Sequence, residues 1–452
     1  LAGQLARAFS DSRQGCRSID PLWEQLYLCA SSREDWGGSL RRGLAGLTYR
    51  NLAVLDSVTV DKLFTTTLAG SVSRLETFAA CPFQFFARYV LRIEPRAELK
   101  LAAPDMGSFY HEALYQIFLL MQKEELDWSD LSDVKIEDFI AEAVNKLTEK
   151  GRDFAELREQ SSRNRFLLSL SAERLGGFCR SLRATAAAGD FYQRYGELDF
   201  GDGGTIPALE IAMAGGRRLV LRGKIDRVDM CAGADGRVGL SVIDYKTSAR
   251  PFSFVRFYHG LSLQLISYLL VLQNHYSLPD GTKTGNVEPA AALYLPIHRQ
   301  GDSHKEPPPE DVLEGRVTGT EKLHKAAGIM NHQWLSVLDH TVNFGKWSSH
   351  YSFAVNKDGS VRNAGKSGVI EPDEMSRMLT HGQKKLAEMA GEILDGKIDV
   401  APYRLGEKET PCSYCDYRTF CRFDFSSDPY RQLPQYNKPE VLGRITDKTN
   451  KR

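Results

Sequence analysis

Two short β-rich runs separated by a glycine-rich turn constrain the fold of this chain most. The runs cover residues 218–228 and 238–245, and the turn between them covers residues 232–236. Such a pattern predicts two strands joined as a hairpin. A hairpin brings Asp226 and Asp244 close together, so we expect a sheet that carries two acids at neighbouring strand ends.

Lys246 follows Asp244 by two residues, so both side chains point to the same face of a strand. Paired carboxylates suit Mg²⁺ or Mn²⁺, and hydrolysis of a phosphodiester uses such an ion to activate water and to neutralise charge on phosphate. An ammonium beside them can orient the water or stabilise the transition state. A surface hairpin whose charges merely face water is an equal alternative from the pattern alone. Asp229, on the opposite strand face from Asp226, is expected to be solvated.

Apolar periodicity divides the rest of the chain into helical and β-rich parts. Helical spacing occurs in four segments, residues 71–122, 131–189, 261–271 and 375–394. Further short β-rich runs cover residues 208–213 and 290–297. Residues 299–320, which contain Pro307, Pro308 and Pro309, are expected to form an exposed loop.

Composition excludes several classes of protein. Among 452 residues, 58 Lys and Arg balance 58 Asp and Glu, so bulk charge argues neither for nor against a nucleic-acid partner. No apolar run approaches the ~18 residues that a membrane span needs. The chain begins with Leu1 and has no basic segment followed by an apolar one, so we expect a cytoplasmic piece of a longer protein.

The cysteines are too sparse for a disulfide scaffold. Cys412, Cys415 and Cys421 have C-x₂-C-x₅-C spacing and need a fourth ligand to hold a metal. Zinc and a [4Fe–4S] cluster are equally favoured by the spacing alone, and plain buried thiols are a third interpretation. Ordinary core or surface thiols are expected at the scattered positions, Cys16, Cys29, Cys179 and Cys231.

The hairpin and the helix after it resemble the PD-(D/E)XK nuclease signature in its RecB-like form. The matching stretches read GKIDRVD over residues 223–229 and VIDYKTS over residues 242–248, and Gln264 and Tyr268 then match a Q-x-x-x-Y motif. The resemblance implies an α/β, restriction-endonuclease-like core with a mixed sheet flanked by helices. It also implies that residues 131–189 are a large helical insertion.

A further motif, G-x-x-x-H-x-x-L from Gly107 to Leu114, resembles the helix on which RecB-like nucleases carry a metal-binding histidine. The resemblance implies four ligands for Mg²⁺ or Mn²⁺: His111, Asp226, Asp244 and the backbone carbonyl of Tyr245. It implies catalytic roles for five residues: Asp226, Asp244, Lys246, Gln264 and Tyr268. Glu197 lies where related nucleases often carry a glutamate.

Residues 71–89 resemble the S-x-S-x-L-E-x-x-x-x-C-P-x-x-F-F stretch that opens iron–sulfur nuclease domains of the RecB-like type. In those proteins one cysteine precedes the nuclease core and three follow it. The resemblance therefore implies a [4Fe–4S] cluster with four ligands: Cys81, Cys412, Cys415 and Cys421. Such a cluster would act as a structural staple between the two ends of the domain.

The order of these motifs along residues 71–424 resembles the C-terminal nuclease region of the AddB family of helicase–nuclease subunits. The resemblance implies three parts: a helical remnant of an upstream helicase-like domain at 1–68, a nuclease domain at 69–425 and a polar C-terminal tail at 426–452. It implies DNA and an AddA-like subunit as partners, no membrane association, and processing of double-strand-break ends for recombination.

Two other functions remain open at this point. A catalytically inactive nuclease fold could serve as a DNA-binding scaffold held by its iron–sulfur cluster, or a zinc-bearing domain could serve protein interactions. The sequence contains no G-x-x-x-x-G-K-[ST] phosphate loop. We therefore do not expect this chain by itself to hydrolyse ATP.

Overall fold

In a computed structural model, the structure describes residues 2–13, 18–48, 51, 53–94, 103–151, 153–233, 236–248, 251–274, 279, 281, 287–298, 324–342, 345–424 and 428–446. The expected loop at 299–320 and Cys16 lie outside the described residues. No helix among the described residues combines the length and apolar character needed to cross a membrane.

The strands, in chain order, are β1 (Thr67–Gly70), β2 (Tyr192–Phe200), β3 (Leu209–Ala212), β4 (Arg218–Leu221), β5 (Gly223–Ala232), β6 (Val238–Lys246), β7 (Val287–Pro296), β8 (Ala327–Asn331), β9 (Val369–Ile370), β10 (Tyr403–Leu405) and β11 (Arg431–Leu433).

The α-helices are α1 (Ala2–Arg13), α2 (Pro21–Ser31), α3 (Glu34–Thr48), α4 (Ser57–Leu63), α5 (Val72–Ala80), α6 (Pro82–Phe85), α7 (Ala103–Lys123), α8 (Asp133–Leu147), α9 (Asp153–Gln160), α10 (Ser162–Ala187), α11 (Phe254–Tyr258), α12 (Gln264–Gln273), α13 (Leu335–Leu338), α14 (Pro372–Leu394) and α15 (Lys438–Thr446). A π-helical turn, Phe86–Val90, follows α6.

The chain forms two compact units. The smaller unit contains Leu1–Leu63, Ala80–Glu94 and Asp395–Pro434, and the larger contains Phe64–Ala79, Pro95–Leu394 and Gln435–Arg452. The smaller unit therefore combines segments that are far apart in sequence. The stretch expected to be a polar tail contains α15, whose residues Val441, Leu442 and Ile445 are buried.

A six-stranded mixed sheet with the order β2-β5-β6-β7-β8-β9 forms the centre of the larger unit. β5 and β6 pair antiparallel, with Arg227 opposite Ile243 and Val228 opposite Val242, so the expected hairpin is confirmed. β6 then pairs in parallel with β7, because α11 and α12 lie between them in sequence and form the crossover that a parallel pair needs. A second sheet of the larger unit has the order β1-β4-β3.

Helices cover both faces of the six-stranded sheet. Ile243 and Tyr245 on β6 belong to an apolar core with residues of α7, α8 and α10. Side chains alternate along a strand, so Asp244 and Lys246 point to the other face, where α12 contacts β6 and β7. The expected mixed sheet flanked by helices is confirmed.

The segment expected to be helical at 131–189 contains α8, α9 and α10. Ser132 begins α8 by accepting a hydrogen bond from the backbone N–H of Lys135 at 3.2 Å. The buried residues of this helix recur every three or four positions: Ile136, Phe139, Ile140, Ala143 and Leu147. That spacing places one apolar stripe against the core of the larger unit.

The expectation that Asp229 is solvated is wrong. Asp229 is 5% exposed and accepts two hydrogen bonds from the guanidinium of Arg227, at 2.6 and 2.8 Å. The alternation rule assigns Asp229 correctly to the face opposite Asp226, but that face is covered rather than open. Trp128, which is 1% exposed, lies 5.9 Å from the Arg227 guanidinium on this covered face.

Asp229→Ala is expected to lower the free energy of unfolding by about 3–5 kcal/mol, because Arg227 then remains buried without its counter-charge. Glu288→Ala is the matched control, since its partner Arg237 is 44% exposed, and it should cost less than about 1 kcal/mol. Denaturant unfolding followed by circular dichroism measures both. Equal losses in the two variants would contradict a special role for the buried pair.

The smaller unit is held by contacts among its separate segments. Leu5, Ala30 and Leu40 form a small core among α1, α2 and α3. The Phe83 N–H donates to the Asp399 carbonyl at 3.1 Å, and Asn51 donates to the carboxylate of Asp428 at 2.6 Å. β10 and β11 pair in parallel.

Candidate active site

Five elements of the larger unit bring polar side chains to the ends of β5 and β6. The contributing residues are His111 on α7, Glu197 on β2, Asp226 on β5, Asp244 and Lys246 on β6, and Gln264 and Tyr268 on α12. The sequence pattern nominated all seven, and the structure places them in one continuous network.

His111, Glu197 and Asp226 form the tightest group in this network. The Nδ1 atom of His111 lies 3.4 Å from Asp226 Oδ1 and 3.5 Å from Glu197 Oε1. One donor atom from each of the three residues lies within 4.8 Å of the other two. An imidazole and two carboxylates at this spacing are a donor set that can hold a divalent metal ion.

The backbone of β2 is irregular at Glu197. Gly196 pairs with Arg227 and Leu198 with Ile225, so Glu197 lies opposite Asp226. Glu197 has a φ of 48°, in the left-handed region that non-glycine residues seldom adopt. Strained positions of this kind cluster at functional sites, and here the irregular residue carries one of the three converging donors.

Gly196 allows α7 to pack closely on β2. A Cβ atom at Gly196 would lie 2.8 Å from Cδ1 of Phe118, which belongs to α7 and is buried. The missing side chain therefore lets the helix approach the strand next to Glu197. His111, two turns before Phe118 on the same helix, is thereby carried to the strand end.

Asp244 anchors the second half of the network. Asp244 is 1% exposed, and its carboxylate forms an ion pair with the ammonium of Lys246. Lys246 Nζ donates to Gln264 Oε1 at 3.2 Å, and Gln264 Nε2 donates to the Tyr268 hydroxyl at 2.8 Å. The expected shared faces of Asp244 with Lys246 and of Gln264 with Tyr268 are confirmed by these contacts.

The hairpin links the two halves of the network. The backbone N–H of Tyr245 donates to Asp226 Oδ2 at 2.8 Å. Burial raises the pKa of Asp244 to about 7, the negative charge of Asp226 acts in the same direction, and the positive charge of Lys246 opposes both effects. The two aspartates are therefore close enough to repel each other.

His111 responds to the same concentration of negative charge. Burial by itself would lower the pKa of His111, but hydrogen bonds to Asp226 and Glu197 and their charges outweigh burial and raise the pKa to about 10. Without a metal ion, His111 is therefore protonated at neutral pH. A proton occupies the place where the residues could bind a cation.

Two residues with contacts to this network were not assigned a role from the sequence. Glu76 Oε1 accepts from the backbone N–H groups of Leu263 at 2.6 Å and Gln264 at 3.1 Å, which fixes the start of α12. Lys224 Nζ lies 3.4 Å from Glu197 Oε2 and is half exposed at the rim. The S-x-S-x-L-E motif contains Glu76, and the stretch GKIDRVD contains Lys224, so both signals were present.

The four motif cysteines meet in the smaller unit. Cys81, Cys412, Cys415 and Cys421 line one small cavity together with Phe83 and Pro411. Burial raises the pKa of the Cys81 thiol to about 11. The other described cysteines are an exposed one, Cys29, and two buried ones, Cys179 and Cys231.

Comparison with known proteins assigns the family. The profile of the PD-(D/E)XK nuclease superfamily matches residues 69–422. The chain therefore belongs to the PD-(D/E)XK nuclease superfamily, as the motifs predict.

Curated relatives share one name, that of the second (B) component of an ATP-dependent helicase/deoxyribonuclease. The protein from Symbiobacterium thermophilum is 33% identical over 459 residues, covering 98% of this chain and 38% of the relative. Those from Bacillus licheniformis and Geobacillus thermodenitrificans are 31% and 30% identical, and the matches cover 37% and 36% of their lengths. The expected similarity to the AddB family is confirmed, and the chain spans little more than a third of these relatives.

Mn²⁺ binding at pH 8 is expected to release about one proton per ion. This pH lies between the pKa values of Asp244, about 7, and His111, about 10, so imidazole must lose its proton to become a ligand. For the same reason the affinity should rise as the pH increases toward 10. Isothermal titration calorimetry in two buffers with different ionisation enthalpies counts the protons.

His111→Asn should reduce this proton release to nearly zero. His332→Asn is the matched control, because His332 lies on the surface beside Glu371 and outside the network. Unchanged proton release in the His111 variant would show that His111 is not a ligand.

Proposed function

We propose that this chain is the metal-dependent deoxyribonuclease domain of a helicase–nuclease that processes double-strand-break ends for recombination. The observation that carries the proposal is the convergence of His111, Asp226 and Asp244 with the ammonium of Lys246 at one strand end. A surface hairpin with solvated charges would not bury both aspartates.

The donor set fits Mg²⁺ or Mn²⁺. His111, Asp226 and Asp244 would hold the ion, and Glu197 offers a further carboxylate beside them. The Tyr245 N–H faces Asp226, and the N–H and C=O of one strand residue point to the same edge, which supports the Tyr245 carbonyl as another ligand. A bound divalent ion supplies Lewis acidity that activates water and neutralises charge on a phosphate.

Lys246 is placed to act on the attacking water. An ammonium has three donors, and those of Lys246 are directed in part to the Asp244 carboxylate and to Gln264 Oε1. With its side chain 26% exposed, Lys246 retains access to solvent for a further contact. That contact would orient water or stabilise charge on the phosphate in the transition state.

Gln264 and Tyr268 are placed to orient the DNA strand. The Tyr268 oxygen accepts a hydrogen bond from Gln264, so its own O–H remains a donor for a phosphate oxygen. Burial and then the charges of Asp244 and Asp226 raise the pKa of Tyr268. The hydroxyl therefore keeps its proton at physiological pH and can continue to donate.

The substrate and the partner follow from the relatives. Their name describes one component of an ATP-dependent helicase/deoxyribonuclease, which supports DNA as substrate and an AddA-like protein as partner. No feature of the described residues indicates base-specific recognition, so cleavage is proposed to be independent of sequence.

The cavity lined by Cys81, Cys412, Cys415 and Cys421 is proposed to hold a [4Fe–4S] cluster. Zn–S bonds of about 2.3 Å place the sulfur atoms of a tetrahedral zinc site about 3.8 Å apart. Among the described residues, the groups of three or more donors within 4.8 Å do not include these thiols. The wider spacing favours a cluster over zinc, and the cluster would connect Ala80–Glu94 with Asp395–Pro434 inside the smaller unit.

Asp244→Asn is expected to reduce cleavage of end-labelled single-stranded DNA at least about a hundredfold, because it removes a metal ligand and the partner of Lys246. EDTA should abolish cleavage by the unaltered chain. Glu210→Gln, which changes an exposed acid on β3, is the matched control and should cut normally. DNA binding without cleavage by the unaltered chain, also after addition of an AddA-like protein, would favour the inactive scaffold.

Cys421→Ser is expected to lower the iron content and the brown absorbance of anaerobically purified protein. Cys29→Ser is the control, because Cys29 is exposed and lies outside the cavity. Stoichiometric zinc in place of iron in the unaltered chain would contradict the cluster.

A further inference from the structure

A basic pocket of about 210 Å³ lies on the larger unit, away from the strand ends that carry the aspartates. It is formed where α11, α14 and α15 contact one another. Its lining includes five basic or imidazole side chains that the argument uses: His259, His381, Lys384, Lys385 and Arg444. Among the described lining residues, Glu388 is the one acid, and it is paired with Lys385 at 2.7 Å.

Aromatic rings form a wall beside these cations. The rings of Tyr258 and His381 stack at 5.2 Å with an interplanar angle of 5°. Tyr436 stacks on His259 at 6.0 Å and meets Tyr258 edge-on at 5.5 Å. These four residues, Tyr258, His259, His381 and Tyr436, are the aromatic wall. All four are partly buried, so the rings are held in place by packing.

Positive charge lies at both ends of the aromatic wall. The guanidinium of Arg444 lies 4.0 Å from the ring centre of Tyr436, and Lys384 lies on α14 beyond His381. Both cations are exposed. Within the part of the chain that the structure describes, no carboxylate forms an ion pair with either Lys384 or Arg444. Their charges are therefore available to a ligand.

The pocket is closely connected to α12, which carries Gln264. His259 precedes Gln264 by five residues, so at most about 18 Å of chain separates them. On α14, a Cβ atom at Gly382 would lie 2.5 Å from Cγ2 of Ile266, so α14 packs directly on α12 beside His381. A ligand that extends from the strand-end site along this side of the molecule would reach the pocket.

We propose that this pocket binds single-stranded DNA, with a base against the aromatic wall and phosphates on Lys384 and Arg444. Aromatic rings beside cations are the features by which proteins bind single strands without reading their sequence. A cavity of about 210 Å³ is smaller than the ~300–1,000 Å³ of most closed small-molecule sites, which suits a strand that inserts one group as it passes. This proposal rests on the proposed nuclease function, since the strand bound here is the one presented for cleavage.

Binding of a labelled oligothymidylate of about 20 nucleotides, in EDTA to prevent cleavage, tests the proposal. The double variant Lys384→Ala, Arg444→Ala should weaken binding about tenfold or more. It should also reduce the slope of log K against log salt by about 1.4, because two phosphate contacts are lost. The matched control removes two exposed lysines elsewhere on the larger unit, Lys123→Ala and Lys150→Ala, and should change neither quantity appreciably.

A second variant tests the aromatic wall separately from charge. Tyr436→Ala should weaken binding several-fold, whereas Tyr436→Phe keeps the ring and should bind as the unaltered chain does. Thermal unfolding of both variants identifies any loss that is due to misfolding.

Several outcomes would overturn the proposal. These are an unchanged salt slope in the pocket variant, an equal loss in the control variant, equal weakening of blunt duplex binding, or stronger competition by polyglutamate than by unlabelled oligothymidylate. Because binding is measured without metal, the result is independent of cleavage. A chain that fails to cut DNA but shows the pocket-dependent slope would contradict the nuclease function alone.

Discussion

The burial of like charges at the ends of β5 and β6 is the constraint on which the site depends. Asp226 and Asp244 are 9% and 1% exposed, and each makes ionisation of the other less favourable. His111 and Lys246 offset part of this charge from two directions, one on α7 and one on β6 itself. The close packing of α7 on β2 is therefore an electrostatic requirement as much as an apolar one.

The parts of the site that depend on local sequence spacing could be predicted, because strand and helix periodicity fix which side chains share a face. Asp244 with Lys246 and Gln264 with Tyr268 are such pairs, and the structure brings each pair into contact. The hairpin could be predicted for the same reason, since its turn and both strands are contiguous in the chain.

The parts that depend on distant segments could not be predicted from local patterns. Glu76 holds the start of α12 across 187 residues, and no periodicity indicates such a contact. The irregular backbone at Glu197 becomes visible only when β2 pairs with β5. Asp229 shows the limit of the alternation rule, which assigns a side chain to a face but not the helices that cover it. The resemblance to a known family supplied His111 and Cys81, which local spacing alone would have left as ordinary residues.

One packing contact relates the strand-end site to the basic pocket on α14. Gly382 has no side chain, which lets α14 approach Ile266 on α12 closely enough that a Cβ atom would clash. Gln264 and Ile266 share α12, and His381 and Lys384 share α14. Since packed helices behave as rigid elements, the orientation of Gln264 toward Lys246 and the position of the aromatic wall are fixed together. The same helix pair therefore serves the chemistry at the strand end and the surface along which a strand would run.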